Sequence, residues 1–246
     1  MRWPLERFGT MTDLITGEVR DAAWLRDAVS RRASVLVSLS IRRGDHVLIA
    51  DGNTPYFFAD LFAAWAAGAC AACIKPTVAA AELDNLADFI APAAVLVDAQ
   101  SAAAGVPTVP VLCLRHEIAG DVGESPETHE GALDDPALVL FASGTTGRPK
   151  GAVLSFRAIL ARIGLNCVRF GTTTLRRTLC VLPTHFGHGL IGNCLTPLFA
   201  RADLLLQRAS GIRAPERWFV VADLPRTERG KINRDTVRES CLAAVP

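Results

Sequence analysis

The sequence predicts an α/β fold, a mostly parallel sheet flanked by helices, and three observations carry the prediction. Short apolar runs such as His46-Val47-Leu48-Ile49-Ala50 and Ala93-Ala94-Val95-Leu96-Val97 show no polar alternation, as expected of strands covered on both faces. Between them lie segments whose apolar residues recur every three or four positions, the spacing of half-buried helices. The chain has 246 residues, 50% of them hydrophobic and 21% charged, enough to bury a large core.

In chain order, Trp24, Leu25, Ala28, Val29, Ala33, Leu36 and Val37 mark one face of a helix over 21–39. Arg43-Gly44-Asp45 turns the chain into a strand over 46–50. Asp51-Gly52-Asn53-Thr54-Pro55 breaks it and starts a helix at Tyr56, with Pro55 in the first turn and Gly68 at the end. The pattern then repeats: a strand over 69–74, a helix over 79–90, a strand over 93–98 and a short strand over 109–114. The acidic, polar segment 116–134 reads as a surface loop. A strand over 137–142 enters a glycine- and threonine-rich loop, followed by a helix over 155–167, a strand over 178–182, a helix over 190–199 and a strand over 203–207. In the tail, 218–223 reads as a strand and 234–242 as a short helix.

Composition excludes several classes. A net charge of +1 provides no electrostatic attraction for nucleic acid or an anionic membrane. The longest apolar stretch, 57–74, contains Asp60 and Gly68 and reads as a helix followed by a strand, so no membrane span is expected. The start has no run of secretory type. Seven cysteines, mostly inside apolar segments, suit free thiols in a reducing cytoplasm. Cys70 and Cys73 form a C-x-x-C without a second ligand pair, which favours a structural role over metal or redox chemistry.

The strongest chemical signal is Phe141-Ala142-Ser143-Gly144-Thr145-Thr146-Gly147-Arg148-Pro149-Lys150-Gly151. An apolar strand delivers the chain into a loop whose glycines permit close approach. Its backbone N–H groups, hydroxyls and lysine suit phosphate oxygens. Within this loop neither the Walker A spacing nor G-x-G-x-x-G occurs. The loop resembles the signature of the adenylate-forming superfamily of acyl- and aryl-CoA synthetases, nonribosomal peptide adenylation domains and luciferases. Its usual form, Ser-Gly-Thr-Thr-Gly-x-Pro-Lys-Gly, is reproduced in full. Ser155-Phe156 stands where members often carry Ser-His. Arg43-Gly44-Asp45-His46-Val47, Asn53-Thr54-Pro55, Ala66-Ala67-Gly68-Ala69 and Val95-Leu96-Val97-Asp98 extend the resemblance in order.

Two further segments belong to the same resemblance. Leu182-Pro183-Thr184-His185-Phe186-Gly187-His188-Gly189-Leu190 is similar to the family segment beside the carboxylate substrate, with His185 before the aromatic residue rather than after it. His185 and His188 lack the further ligands of a zinc site. The tail from Arg213 to Arg234 is similar to the end of the family's small C-terminal domain, with Lys231 on the lysine that reaches the site during adenylation.

The resemblance implies a first domain over 1–209, a truncated N-terminal AMP-binding domain, and over 210–246 a remnant of the small domain. It implies Mg-ATP and an organic acid (fatty, aryl or amino) as reactants, with coenzyme A or a phosphopantetheine carrier as thiol acceptor. Ser143, Gly144, Thr145, Thr146, Gly147 and Lys150 would hold the phosphates, and Lys231 and His185 would act in catalysis; no metal-ligand set is identified. The family's aromatic-Gly-x-Thr-Glu and Thr-Gly-Asp segments, which serve adenine, magnesium and ribose, are not found in the sequence. Three readings stay open: an active reduced or split ligase, a noncatalytic nucleotide- or acyl-binding relative, and an inactive internal-deletion remnant. Exposed faces left by the missing middle would favour a homodimer or a complementary polypeptide.

Overall fold

The computed structural model describes residues 3–97, 109–114, 132–142 and 149–207. Most of the acidic loop, residues 143–148 of the glycine-rich loop, and the whole tail with its expected strand, helix and Lys231 lie outside the described residues. All described residues belong to one unit, Met1–Gly211.

A 3-10 turn at Leu5–Arg7 leads to β1 (Met11–Asp13) and β2 (Val19–Arg20). Helix α1 (Ala22–Ser38) follows, capped by Asp21, whose carboxylate accepts from the Trp24 N–H. Strand β3 (His46–Ala50) leads to α2 (Pro55–Ala66), where Pro55 occupies the first turn, as predicted, and Thr54 caps. Ten residues of α2 are buried, so it is a core helix rather than an amphipathic surface one. Gly68 ends it at φ +83°, and a Cβ there would lie 3.1 Å from the Arg43 Cα.

Next come β4 (Cys70–Cys73), α3 (Ala80–Ile90), β5 (Ala94–Val97), β6 (Val111–Leu112) and β7 (Pro136–Ala142). After the loop come β8 (Lys150–Ser155), α4 (Phe156–Phe170) capped by Ser155, α5 (Thr172–Leu175) and β9 (Arg177–Cys180). A π-helix at His188–Leu195, α6 (Thr196–Phe199) and β10 (Asp203–Leu206) complete the series.

The strands form two sheets, not the single one expected. The larger has the order β6-β5-β3-β4-β7-β8, parallel throughout except for the β7–β8 pair. The smaller has the order β2-β1-β10-β9, in which β1–β10 and β10–β9 are parallel and β1–β2 antiparallel. Strands β1 and β2 escape a reading by pattern because they are two or three residues long and gain their regularity by pairing beside β10. Strand β8 escapes it for a similar reason: it is an edge strand, largely exposed, with a glycine second, and its partner β7 supplies the order.

The larger sheet is covered on both faces. Val47, Ile49, Ala71, Cys73, Ala94, Leu96 and Leu138 face the main core with α1 and α2. Leu48, Ala50, Cys70, Ala72, Val95 and Val139 face a second core with Leu83 and Leu86 of α3. Successive strand residues alternate faces, so Cys70 and Cys73 lie on opposite sides of β4 and cannot act as a dithiol. Trp65 fixes α2 to the sheet: its Nε1 donates to the Ala137 carbonyl at 2.7 Å, and its ring stacks on Trp3 at 4.8 Å. Between α1 and α2, Arg32 Nε donates to Asp60 Oδ1 at 2.8 Å, with both side chains about 5% exposed.

Candidate functional site

In an open α/β sheet, groups that follow the carboxyl ends of parallel strands collect along one rim. Here Asp51-Gly52-Asn53 follows β3, Lys75 follows β4 and Ser143 follows β7. Strands β4 and β7 pair with Cys73 opposite Leu140, and Lys75 and Ala142 each stand two residues beyond those partners. Antiparallel β8 begins on the same rim, because Lys150 pairs with Ala142. The glycine-rich loop is therefore the connection of a hairpin whose two ends are held at strand spacing.

Lys150 is exposed on β8, not inside the loop as the sequence implied. Gly151 beside it lies against the adjoining strand, where a Cβ would meet Val139 Cγ1 at 3.0 Å. Ser143, Gly144, Thr145, Thr146 and Gly147 fall in the part of the loop outside the described residues, as does Lys231 in the tail.

His185 reaches the rim from the other sheet. Beyond β9 the chain turns at Pro183, where Phe186 N–H donates to the Pro183 carbonyl at 3.1 Å, and the π-helix begins. Two glycines make this route possible. A Cβ on Gly187 would stand 2.7 Å from Leu140 Cδ1 of β7, so the turn lies against the strand that feeds the glycine-rich loop. A Cβ on Gly189 would stand 2.3 Å from the Pro183 carbonyl oxygen, an approach only glycine permits. From the start of α6, Thr196 Oγ1 donates back to the Ile191 carbonyl of the π-helix at 2.7 Å. Long π-helical stretches are rare and often accompany function.

The His185 imidazole is half-buried and packs against Phe186 with ring centroids 4.3 Å apart. Burial, then the charge of Lys75, holds its pKa below the ordinary histidine value, which makes it a neutral hydrogen-bonding group near pH 7. Lys75 itself pairs with Glu82 at 2.8 Å, both side chains about half exposed. His188 is exposed and touches the space over Gly192. It lines a cavity of about 610 Å³ with Arg162, Asn166 and Asn193, and His185 is not among the lining residues.

Asn53 and Lys75 complete the rim and carry no chemical signature in the sequence. Asn53 Nδ2 donates to the carbonyls of Leu182 and Gln207, each at 2.9 Å, and its Oδ1 accepts from the Thr184 N–H at 3.0 Å. Their common signal is position, one to three residues beyond an inner parallel strand. Behind the turn, Cys194 Sγ donates to Cys180 Sγ at 3.0 Å in the core. Among the described residues no three His, Cys, Asp or Glu side chains gather for a metal ion. No helix of the described residues is long and apolar enough to cross a membrane.

Comparison with known proteins places this arrangement. Feruloyl-CoA synthase from Amycolatopsis sp is 31% identical over 221 residues, which are 84% of this chain and 43% of that enzyme. Malonate–CoA ligase from Arabidopsis thaliana is 38% identical over 79 residues, 32% of this chain and 13% of that one. The crystal structure of ATP-bound MatB from Rhodopseudomonas palustris superposes with a TM-score of 0.70 at 26% identity, covering 83% of this chain and 43% of that one. The chain thus spans less than half the length of these relatives. The model of the AMP-binding enzyme family matches residues 22–226, well over half of the sequence, and the chain belongs to that family.

Proposed function

We propose that this chain takes part in acyl-adenylate formation. A carboxylate oxygen of an organic acid attacks the α-phosphorus of ATP, the bond to the β-phosphate oxygen breaks, and pyrophosphate leaves with the electron pair. Transfer to coenzyme A or a carrier pantetheine would follow, the thiolate sulfur attacking the acyl carbonyl and AMP departing. The observation that carries the proposal is the β7–β8 hairpin, where the full Ser143–Gly151 signature runs through the connection and into the first two residues of β8.

In this reading Ser143, Gly144, Thr145, Thr146 and Gly147 supply amides and hydroxyls to the phosphates, and Lys150 supplies charge from the foot of the hairpin. Lys231 stabilises charge redistributed in the transition state. Neutral His185 donates a hydrogen bond that places the carboxylate. Magnesium would enter with the triphosphate, whose oxygens supply part of its coordination. Residues 1–209 act as the truncated nucleotide domain and 210–246 as the small-domain remnant. Leu165 and Val168, one turn apart on α4, are exposed, Val168 to 86%, an apolar pair that a second copy or a complementary polypeptide would cover. The six free cysteines of the described residues suit a cytoplasmic setting.

A second reading, a noncatalytic nucleotide or acyl binder, is favoured by one observation: the sequence lacks the segments that hold adenine, magnesium and ribose in the family. The two separate by carboxylate-dependent exchange of labelled pyrophosphate into ATP, over a panel of fatty, aryl and amino acids. Exchange that Lys231→Ala abolishes supports catalysis. ATP protection of Lys150 from acylation with no exchange supports the binding module, and neither signal leaves the deletion remnant.

A further inference from the structure

We infer that Asn53 is a positioning residue: its buried amide latches the turn that carries His185 to the end of β3, and so sets where the imidazole stands on the rim. The role assigned to His185 rests on the adenylation reading; the latch itself does not.

A primary amide has two N–H donors and one acceptor oxygen. Asn53 is 3% exposed, and it meets two carbonyls and one N–H. The partners fix its orientation, because a flipped amide would set its oxygen against two carbonyls and its NH2 against an N–H. The same group holds β9's extension at Leu182 and β10's extension at Gln207, so it joins the carboxyl ends of the smaller sheet to β3 of the larger.

The latch acts where the chain has least regular support. Leu182 and Thr184 flank Pro183, which has no N–H to give, and the next residue is His185. Thr184 is 1% exposed, so its N–H has no solvent to turn to once Oδ1 is removed. Gly187 and Gly189 control the far side of the turn by close approach to Leu140 and Pro183. Asn53 holds the near side by directed bonds, beside the Cys180 thiol, which donates to the Leu182 carbonyl at 3.3 Å. A shift there moves His185 relative to its burial and to Lys75, the two causes of its depressed pKa.

The test reads position without requiring catalysis. In the full chain, the His185 Cε1–Hε1 resonance, assigned by its loss in His185→Gln, is followed through a pH titration. In Asn53→Ala the midpoint is expected to rise toward 6.5, the ordinary value, with a displaced chemical shift. Asn53→Asp, which removes both donors and faces a carboxylate toward two carbonyls, is expected to move it further. Leu86→Ala, which thins the second core behind α3, should leave His185 in place. Equal displacement in Leu86→Ala, or none in either Asn53 variant, would overturn the inference. Should the Asn53 variants fail to fold, hydrogen exchange of the unaltered chain decides: the Thr184 N–H and Asn53 side-chain protons must exchange far more slowly than the side chain of exposed Asn85. Comparable rates refute the latch. The pyrophosphate exchange experiment tests the adenylation reading separately.

Discussion

Gly189→Ala and Gly164→Ala make the same chemical change and should move stability in opposite directions. At Gly189 the new methyl would stand 2.3 Å from the Pro183 carbonyl oxygen, 3.0 Å from its carbon and 3.1 Å from the Leu182 oxygen, all backbone atoms. Overpacking of this kind costs about 1–3 kcal/mol. Relief by moving the turn strains the Asn53 bonds to Leu182 and Thr184, each worth about 1 kcal/mol. The sum is about 3–5 kcal/mol, which for a chain of this size lowers Tm by roughly 10 °C. Gly164 lies exposed in the interior of α4 with nothing within 4 Å of a Cβ, and alanine there gains about 0.5–1 kcal/mol of helix propensity. Thermal and urea unfolding of both variants check the pair. A Gly189→Ala protein melting within a degree or two of the parent would refute the close-approach argument for the His185 turn.

Three other outcomes are expected. Cys70, whose pKa burial pushes up to about 12, and Cys73, raised further by burial and by Cys70, should resist iodoacetamide in the native chain, whereas half-exposed Cys113 and Cys167 react first; peptide mass mapping of the alkylated sites checks this. His185 titrates lower in the fold than its ordinary 6.5, so below that value the unfolded chain binds more protons. Stability should rise with pH through that window and lose the contribution in His185→Gln, as urea midpoints across it would show. Lys75→Met should narrow the window without closing it, because burial is the larger cause. Breaking the buried Arg32–Asp60 pair by Arg32→Met should cost about 3–5 kcal/mol, and adding Asp60→Leu should recover much of it; a double-mutant cycle in urea measures the difference.

Much of the larger sheet is legible in the chain because its signals are local. Apolar runs mark β3, β4, β5 and β7, and the helix starts at Asp21 and Thr54-Pro55 fall where capping chemistry puts them. The glycine-rich loop is legible for the same reason: strand, loop and lysine are contiguous. The two-residue β2 and the exposed β8 are not, since their order comes from a partner strand rather than from their own residues.

The site divides along the same line. Order along the chain by itself marks a glycine- and threonine-rich signature, a histidine turn and the family to which both point. Tertiary structure decides that Lys150 stands at the foot of a hairpin, that Cys70 and Cys73 are separated by a sheet, and that Asn53 reaches residues more than a hundred positions away. The physical reason is range. Capping, turn chemistry and hydrophobic period act within a few residues, whereas a buried amide finds its partners only after two sheets have packed their ends together.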